Sequence, residues 1–268
     1  MKIIKEKWQW FYRIAAIMLF IIVIYPVIVH MTGSDQQRVV DRMQNLLDVQ
    51  SLPNHVSPDE LSRSGPEAGK LDVNEYFRIL RHLKMAPETA LDYVYAYNGF
   101  SGYPILYARS EHQQPIKTFK RFADLHGGFK EAFNAQYDYL DKVSTDGTAE
   151  GFFELVVLRL LGDQFYLDWH AYYNYITILC DRFALERLLF SRRINECFLP
   201  IGVQLRARLI DCMPKVHFED DRVRVSVVIY SDWGGFFRYE FQMMRNPPYH
   251  LLETHRQQLV KYNCGVWF

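Results

Sequence analysis

The residues best suited to chemistry are carboxylates and a histidine that recur at helical spacing in residues 163–193. On one helix, at about 100° per residue, Asp163, His170 and Asp181 fall within about 40° of one another. Glu154 lies on the preceding predicted helix and meets this stripe if the two helices pack antiparallel. Carboxylates beside a histidine can exchange protons as general acid and base or bind a metal. The predicted catalytic residues are therefore Glu154, His170 and Asp163.

The alternative is that the stripe has no chemical role and is a solvated helix face. His170 and Glu154 would then satisfy each other's hydrogen-bonding groups. No H-E-x-x-H or C-x-x-C spacing is present, so the sequence predicts no metal site and no cofactor. Tyr166 and Tyr173 flank the stripe and are candidate binding residues.

A second candidate is the glycine-rich turn that contains Asp232 and Trp233. A tryptophan at the tip of a hairpin has little core to fill, and exposed aromatic side chains are common binding anchors. The alternative is that Trp233 folds back over the sheet. Both residues are predicted binding residues.

The chain that positions these candidate residues begins with a strongly apolar segment. The segment that begins at Trp8 and ends at Met31 contains no Asp, Glu, Lys or Arg after Arg13. As a helix it would be roughly 36 Å long, which is enough for the ~30 Å hydrocarbon layer of a bilayer. Trp8 and nearby aromatic residues suit the membrane interface. The sequence predicts one membrane-spanning helix, with the lipid bilayer as its partner.

The flanking charges predict the orientation of this segment. Lys2, Lys5 and Lys7 precede it, whereas the first stretch after it offers only Arg38 and Arg42. The positive-inside rule then places the N-terminus in the cytoplasm and the bulk of the chain on the extracytoplasmic, or periplasmic, side of the cell (inner) membrane. The rival is a cleaved signal peptide, but the apolar run is longer than usual and no A-x-A-like site follows it.

The rest of the chain divides by composition into two further regions. Residues 1–34 hold the cytoplasmic tip and anchor, residues 35–70 a juxtamembrane helix and a proline-bearing linker, and residues 71–268 the folded domain. The helix runs from Gln36 to Val49, and its apolar stripe could extend the anchor as a stalk or mediate self-association.

The folded domain is predicted to be α+β, rich in helices and with antiparallel hairpins. Alternating apolar residues predict a hairpin of residues 91–97 and 103–109, and a meander that includes residues 222–230 and 236–244. Residues 148–158 predict a helix that is buried all round and pairs with the helix 163–193. A last helix is expected from Pro247 to about Lys261.

Composition excludes some classes of function. The formal net charge is zero, which argues against a nucleic-acid partner, and a hydrophobic content of 49% supports a real core. Of four cysteines, Cys197 and Cys212 are the preferred pair if a disulfide exists, while Cys180 is expected to be a buried thiol.

Two functions from different classes remain at this stage. The leading hypothesis is a single-pass, membrane-anchored interaction module with an unknown ligand. The alternative is a membrane-anchored hydrolase that uses Glu154, His170 and neighbouring carboxylates. An enzyme requires these side chains within hydrogen-bond reach, whereas a binding module requires an exposed patch such as Trp233 or the tyrosines of residues 93–97.

Overall fold

A computed structural model describes residues 33–48, 57–64, 71–169, 171, 174–191, 193–194, 197–249 and 251–262. The predicted membrane segment, residues 8–31, lies outside these ranges, as do His170 and Tyr173. Within them, no helix combines the length and the apolar character that crossing a bilayer requires. The fold class is α+β with antiparallel sheets, as the sequence predicts.

The described part of the chain contains eight α-helices and twelve strands. The helices are α1 (Asp35–Asp48), α2 (Pro58–Ser64), α3 (Tyr76–Ile79), α4 (Phe119–Leu125), α5 (Phe129–Asn134), α6 (Ala149–Leu161), α7 (Arg182–Ser191) and α8 (Ile201–Ala207). The strands are β1 (Leu83–Met85), β2 (Thr89–Tyr97), β3 (Ser101–Ser110), β4 (Val143–Thr145), β5 (Asp168–Trp169), β6 (Thr177–Leu179), β7 (Arg193–Ile194), β8 (Cys197–Phe198), β9 (Lys215–Phe218), β10 (Arg222–Ser231), β11 (Gly235–Met244) and β12 (Leu252–Lys261).

The strands form two main antiparallel sheets. The larger sheet has the order β12-β11-β10-β6, and β9 also pairs with β10. The smaller sheet has the order β2-β3-β5, and its hairpin is the one that the alternation in the sequence predicts. Two short pairs, β1 with β4 and β7 with β8, complete the pairing among the described residues.

The main core lies between these two sheets and is centred on α6. Thr148 begins the helix, because its hydroxyl oxygen accepts a hydrogen bond from Gly151 N at 3.1 Å. Nearly every α6 side chain is buried, as expected for a helix that is apolar all round. One face of β10, with Val223 and Val225, and one face of β2, with Tyr93, contribute to the same cluster.

Each sheet also has a second apolar layer on its outer face. Val228 and Tyr230 of β10 pack with α7 and α8, while Val94 and Ala96 of β2 pack with α4 and α5. The layers therefore run from α7 and α8 through the large sheet, the α6 core and the small sheet to α4 and α5. This arrangement puts α8 and α4 at opposite ends of the domain.

Helix α1 contributes to the main core rather than standing apart from it. Val40, Met43 and Leu47 are buried in the α6 cluster, and Val39 and Leu46 pack at its edge. Gln37 fastens the helix to the chain before α7, because its Oε1 accepts a hydrogen bond from Cys180 N at 2.8 Å. The apolar stripe that the sequence offers for a stalk or for self-association thus faces the domain's own core.

Two predicted helices are wrong. Residues 163–193 do not form one helix, because β5 and β6 occupy residues 168–169 and 177–179, and α7 is the single α-helix among the described residues of this range. Residues 252–261, expected to be helical, form β12 at the edge of the large sheet. In both segments, pairing with another strand, β10 for β6 and the preceding strand β11 for β12, satisfies the backbone hydrogen bonds.

The predicted Cys197–Cys212 disulfide is also wrong. Cys212 carries a free thiol, buried in the cluster under α8, and Cys180 is a buried free thiol as expected. Burial raises the pKa of Cys212 to about 12, so it is an unreactive apolar side chain in this setting.

Candidate functional site

The predicted catalytic residues do not share one helix face. Glu154 lies in α6 with only 3% of its surface exposed, and its Oε2 accepts a hydrogen bond from His82 N at 2.8 Å. Asp163 lies in the turn after α6, where its Oδ1 accepts from Gln164 Nε2 at 3.3 Å. Burial raises the pKa of both carboxyls. Nine positions separate them, roughly 13 Å of helix rise, and His170 lies outside the described residues.

The histidine that the structure brings to Glu154 is His82, which sequence reasoning missed. Its Nδ1 lies 2.6 Å from Asp146 Oδ2, and the other Asp146 oxygen accepts from Thr148 N at 3.0 Å and from the Thr148 hydroxyl at 2.6 Å. The pairing of β1 with β4 creates this contact, since Leu83 is opposite Thr145. Sixty-four positions separate His82 from Asp146, so the sequence indicates this contact locally through nothing more than the capping residues around Thr148.

The electrostatics favour the charged forms of both partners. The hydrogen bond to Asp146 raises the pKa of His82 against a smaller opposing effect of burial. Burial alone would raise the pKa of Asp146, but hydrogen bonds from Thr148 and His82 outweigh it and lower the pKa to about 2. The ring is 38% exposed, so this carboxylate–histidine pair is able to exchange protons with a bound molecule. No group of three or more metal-binding side chains occurs in the described ranges.

Of the predicted binding residues, Trp233 reaches the surface. It lies in the β10–β11 turn with 38% of its surface exposed, whereas Asp232 beside it is buried. Tyr166 is buried in the main core, and its hydroxyl oxygen accepts from Leu71 N at 3.2 Å. Tyr173 lies outside the described residues. The tyrosine face of β2 is also buried, and so it offers no binding surface.

A larger exposed apolar surface occurs on α8 and the turn after it. Val203 and Ala207 face the core, while Ile201 and Leu205 lie on the opposite side of the helix and are exposed. Leu209 in the following turn and Met213 beyond it are exposed as well, and these four side chains are called the α8 face: Ile201, Leu205, Leu209 and Met213. Leu209 is the most exposed of them, at 86%. The sequence analysis identifies no surface here, because nothing local shows which side of α8 the core covers.

A charged network holds α8 against α7. The buried Glu186 carboxylate of α7 accepts from Arg208 Nε at 3.1 Å and from its terminal nitrogen at 2.9 Å. Arg182 pairs with the same carboxylate at 2.9 Å and donates to the Arg208 carbonyl oxygen. The network fixes Leu209, which follows Arg208 directly. It also ties α8 to the start of the domain, since Asp181, next to Arg182, accepts a hydrogen bond from Ser34 N at 2.8 Å.

Between α1 and α7 runs a groove with a cavity volume of about 230 Å³. Three arginines line it, Arg38, Arg42 and Arg187, together with Asp41 and Asp181. Arg187 pairs with Asp41 at 2.5 Å, and Arg38 pairs with Asp35. Arg42 has no ion-pair partner among the side chains that the structure describes. Two of the three groove arginines are therefore paired with carboxylates, Arg42 is the third, and Gly33 is among the residues that line the groove.

Comparison of the chain with protein-family models, curated protein sequences and solved structures finds no match in any of the three.

Proposed function

We propose that this chain is a single-pass membrane protein, with its N-terminus in the cytoplasm, whose folded domain acts on the extracytoplasmic side as an interaction module. The apolar segment of residues 8–31, which carries no charged side chain after Arg13, supports the tether, and the lysines that precede it support the orientation.

The observation that carries the proposal is the α8 face. A soluble domain normally buries one side of a short amphipathic helix and presents polar groups on the other. Helix α8 instead presents Ile201 and Leu205 outward, and the residues that follow it add Leu209 and Met213. Exposed apolar surface of this kind marks contact sites, because covering it removes apolar area from water at about 25 cal/mol per Å².

The proposal is tested by site-specific photocrosslinking in intact cells that produce the full chain. A photoreactive amino acid at position 209 is compared with one at Leu125, which is 55% exposed on α4 at the opposite end of the domain. We expect crosslinked adducts at 209 well above the level at 125. Equal yields at both positions would leave the α8 face as ordinary solvated surface.

The second candidate function is a membrane-anchored hydrolase, and the pairing of His82 with Asp146 beside Glu154 favours it. In this case His82 would act as the general base, oriented by Asp146. The purified chain would then hydrolyse ester or peptide substrates, and His82→Gln would abolish the activity while leaving the melting temperature nearly unchanged at pH 8. No turnover of any substrate by the parent chain would remove this candidate.

A further inference from the structure

The position of Gly33 limits how far the domain can stand from the proposed membrane. Only Thr32 separates Gly33 from Met31, the last residue of the predicted membrane segment. Two backbone steps span at most about 7 Å. Each interfacial layer of a bilayer is roughly 5–8 Å thick, so Gly33 lies at the depth of the lipid headgroups if the segment spans the hydrocarbon.

The hydrogen bonds of the residue after Gly33 link this membrane-proximal position to the α8 face. Ser34 N donates to Asp181, and the neighbouring Arg182 donates to the backbone of Arg208. Leu209, the most exposed member of the α8 face, comes next in the chain. Two hydrogen bonds between chain neighbours thus connect the point where the chain leaves the predicted membrane segment to the most exposed apolar side chain of the face.

The charges around this region complement lipid phosphates. Gly33 and Arg42 both line the groove between α1 and α7, where Arg38 and Arg187 are paired with carboxylates. Arg206 adds an exposed cation on α8 itself. Apolar side chains flanked by arginines are the composition that binds at a membrane surface, where the rings and aliphatic groups enter the interface and guanidinium groups meet phosphates.

We propose that the α8 face rests on the bilayer that holds the predicted membrane segment, with Leu205 and Leu209 in the interface and Arg42 and Arg206 at the phosphates. The inference rests on the proposed function, because it requires the tether, and it names the occupant of the same surface. It also orients the domain: α7 and α8 lie against the membrane, while α4 and α5 face away from it.

The experiment uses the full chain reconstituted in vesicles of phosphatidylcholine and phosphatidylglycerol. A bimane fluorophore is attached to Leu209→Cys or, as the matched control, to Leu125→Cys, and the signal of the parent chain treated in the same way is subtracted. Replacement of ordinary lipid by bromine-substituted lipid quenches only fluorophores that contact acyl chains. Co-flotation of the chain with vesicles is measured on the same samples, and circular dichroism confirms that both variants are folded.

The expected result is that bimane at position 209 loses about half of its fluorescence or more, because the docked fraction sets the quenched fraction. Bimane at position 125 should lose none. Unquenched fluorescence at 209 in a chain that co-floats would overturn the docking while the tether stands, and so would equal quenching at both positions. A chain that fails to co-float would overturn the proposed function and this inference together.

Discussion

Glu186 decides whether α7 and α8 stay together, because it is a buried carboxylate shared by two arginines. Such a group is stabilising only while its partners remain, since a lost partner leaves a desolvated charge. The α8 face depends on this residue, which fixes the backbone at Arg208 and therefore the position of Leu209.

We expect Glu186→Gln to lower the free energy of unfolding by about 2–3 kcal/mol, since hydrogen bonds to charged groups contribute that much. Thermal unfolding of the full chain in detergent micelles measures it. The control is Glu75→Gln, whose pair with Arg78 is exposed and should matter by less than about 1 kcal/mol. If both substitutions cost equally little, the buried network does not hold α8.

The His82–Asp146 pair makes the stability of the domain depend on pH, and the direction of this dependence follows from the two pKa shifts. The pKa of His82 is raised above 6.5, so its contribution to stability is present below pH 6.5 and is lost as the pH rises through the folded value. The pKa of Asp146 is lowered from 3.8 to about 2, so its contribution is present above pH 3.8 and is lost as the pH falls towards 2. The pair is strongest between those limits.

His82→Gln should therefore lower the melting temperature most near pH 5–6 and least near pH 8–9. Because both side chains are partly exposed, the effect should not exceed about 1 kcal/mol. Melting curves of the parent chain and the variant across this range measure it, with His255→Gln on the exposed edge strand β12 as the control. An effect of constant size from pH 5 to 9 would contradict the ion pair.

At the scale of elements, the sequence predicts those helices and hairpins whose conformation depends on residues close by in the chain. Helix α6 and the β2–β3 and β10–β11 hairpins are confirmed, because caps, turns and alternation act within a few residues. The same pattern fails for β6 and β12, whose strand conformation depends on partners more than forty and about twenty positions away on average. The same distinction between local and long-range signals applies to the residues of the candidate site. Glu154 was predicted, but its partner His82 is 72 positions distant and carries no local signal.

Helix α1 is the element whose role a single substitution tests most clearly. Met43→Ala should cost about 2–5 kcal/mol of stability, because it leaves a cavity in the main core. Asn45→Ala, on the exposed side of the same helix, should change stability by no more than about 0.5 kcal/mol. Both are measured by thermal unfolding of the full chain. An equally small effect of the two would mean that α1 stands apart from the domain.

At the scale of the whole molecule, the order of the layers decides which end of the domain carries the α8 face. The α7–α8 layer carries the exposed apolar face and connects directly to Gly33, whereas the α4–α5 layer lies beyond both sheets. On the proposed function, with the tether ending just before Gly33, these two ends would be unequal, one near the tether and one far from it. The function that we propose depends on the tether itself, which the sequence predicts from residues 8–31.

The most direct measurement is the fate of the full chain in sealed cells and their isolated membranes. We predict that it stays in the membrane after alkaline carbonate extraction and that protease added on the extracytoplasmic side degrades the folded domain. Release by carbonate, or a domain cleaved only by protease added on the cytoplasmic side, would contradict the tethered, extracytoplasmic module.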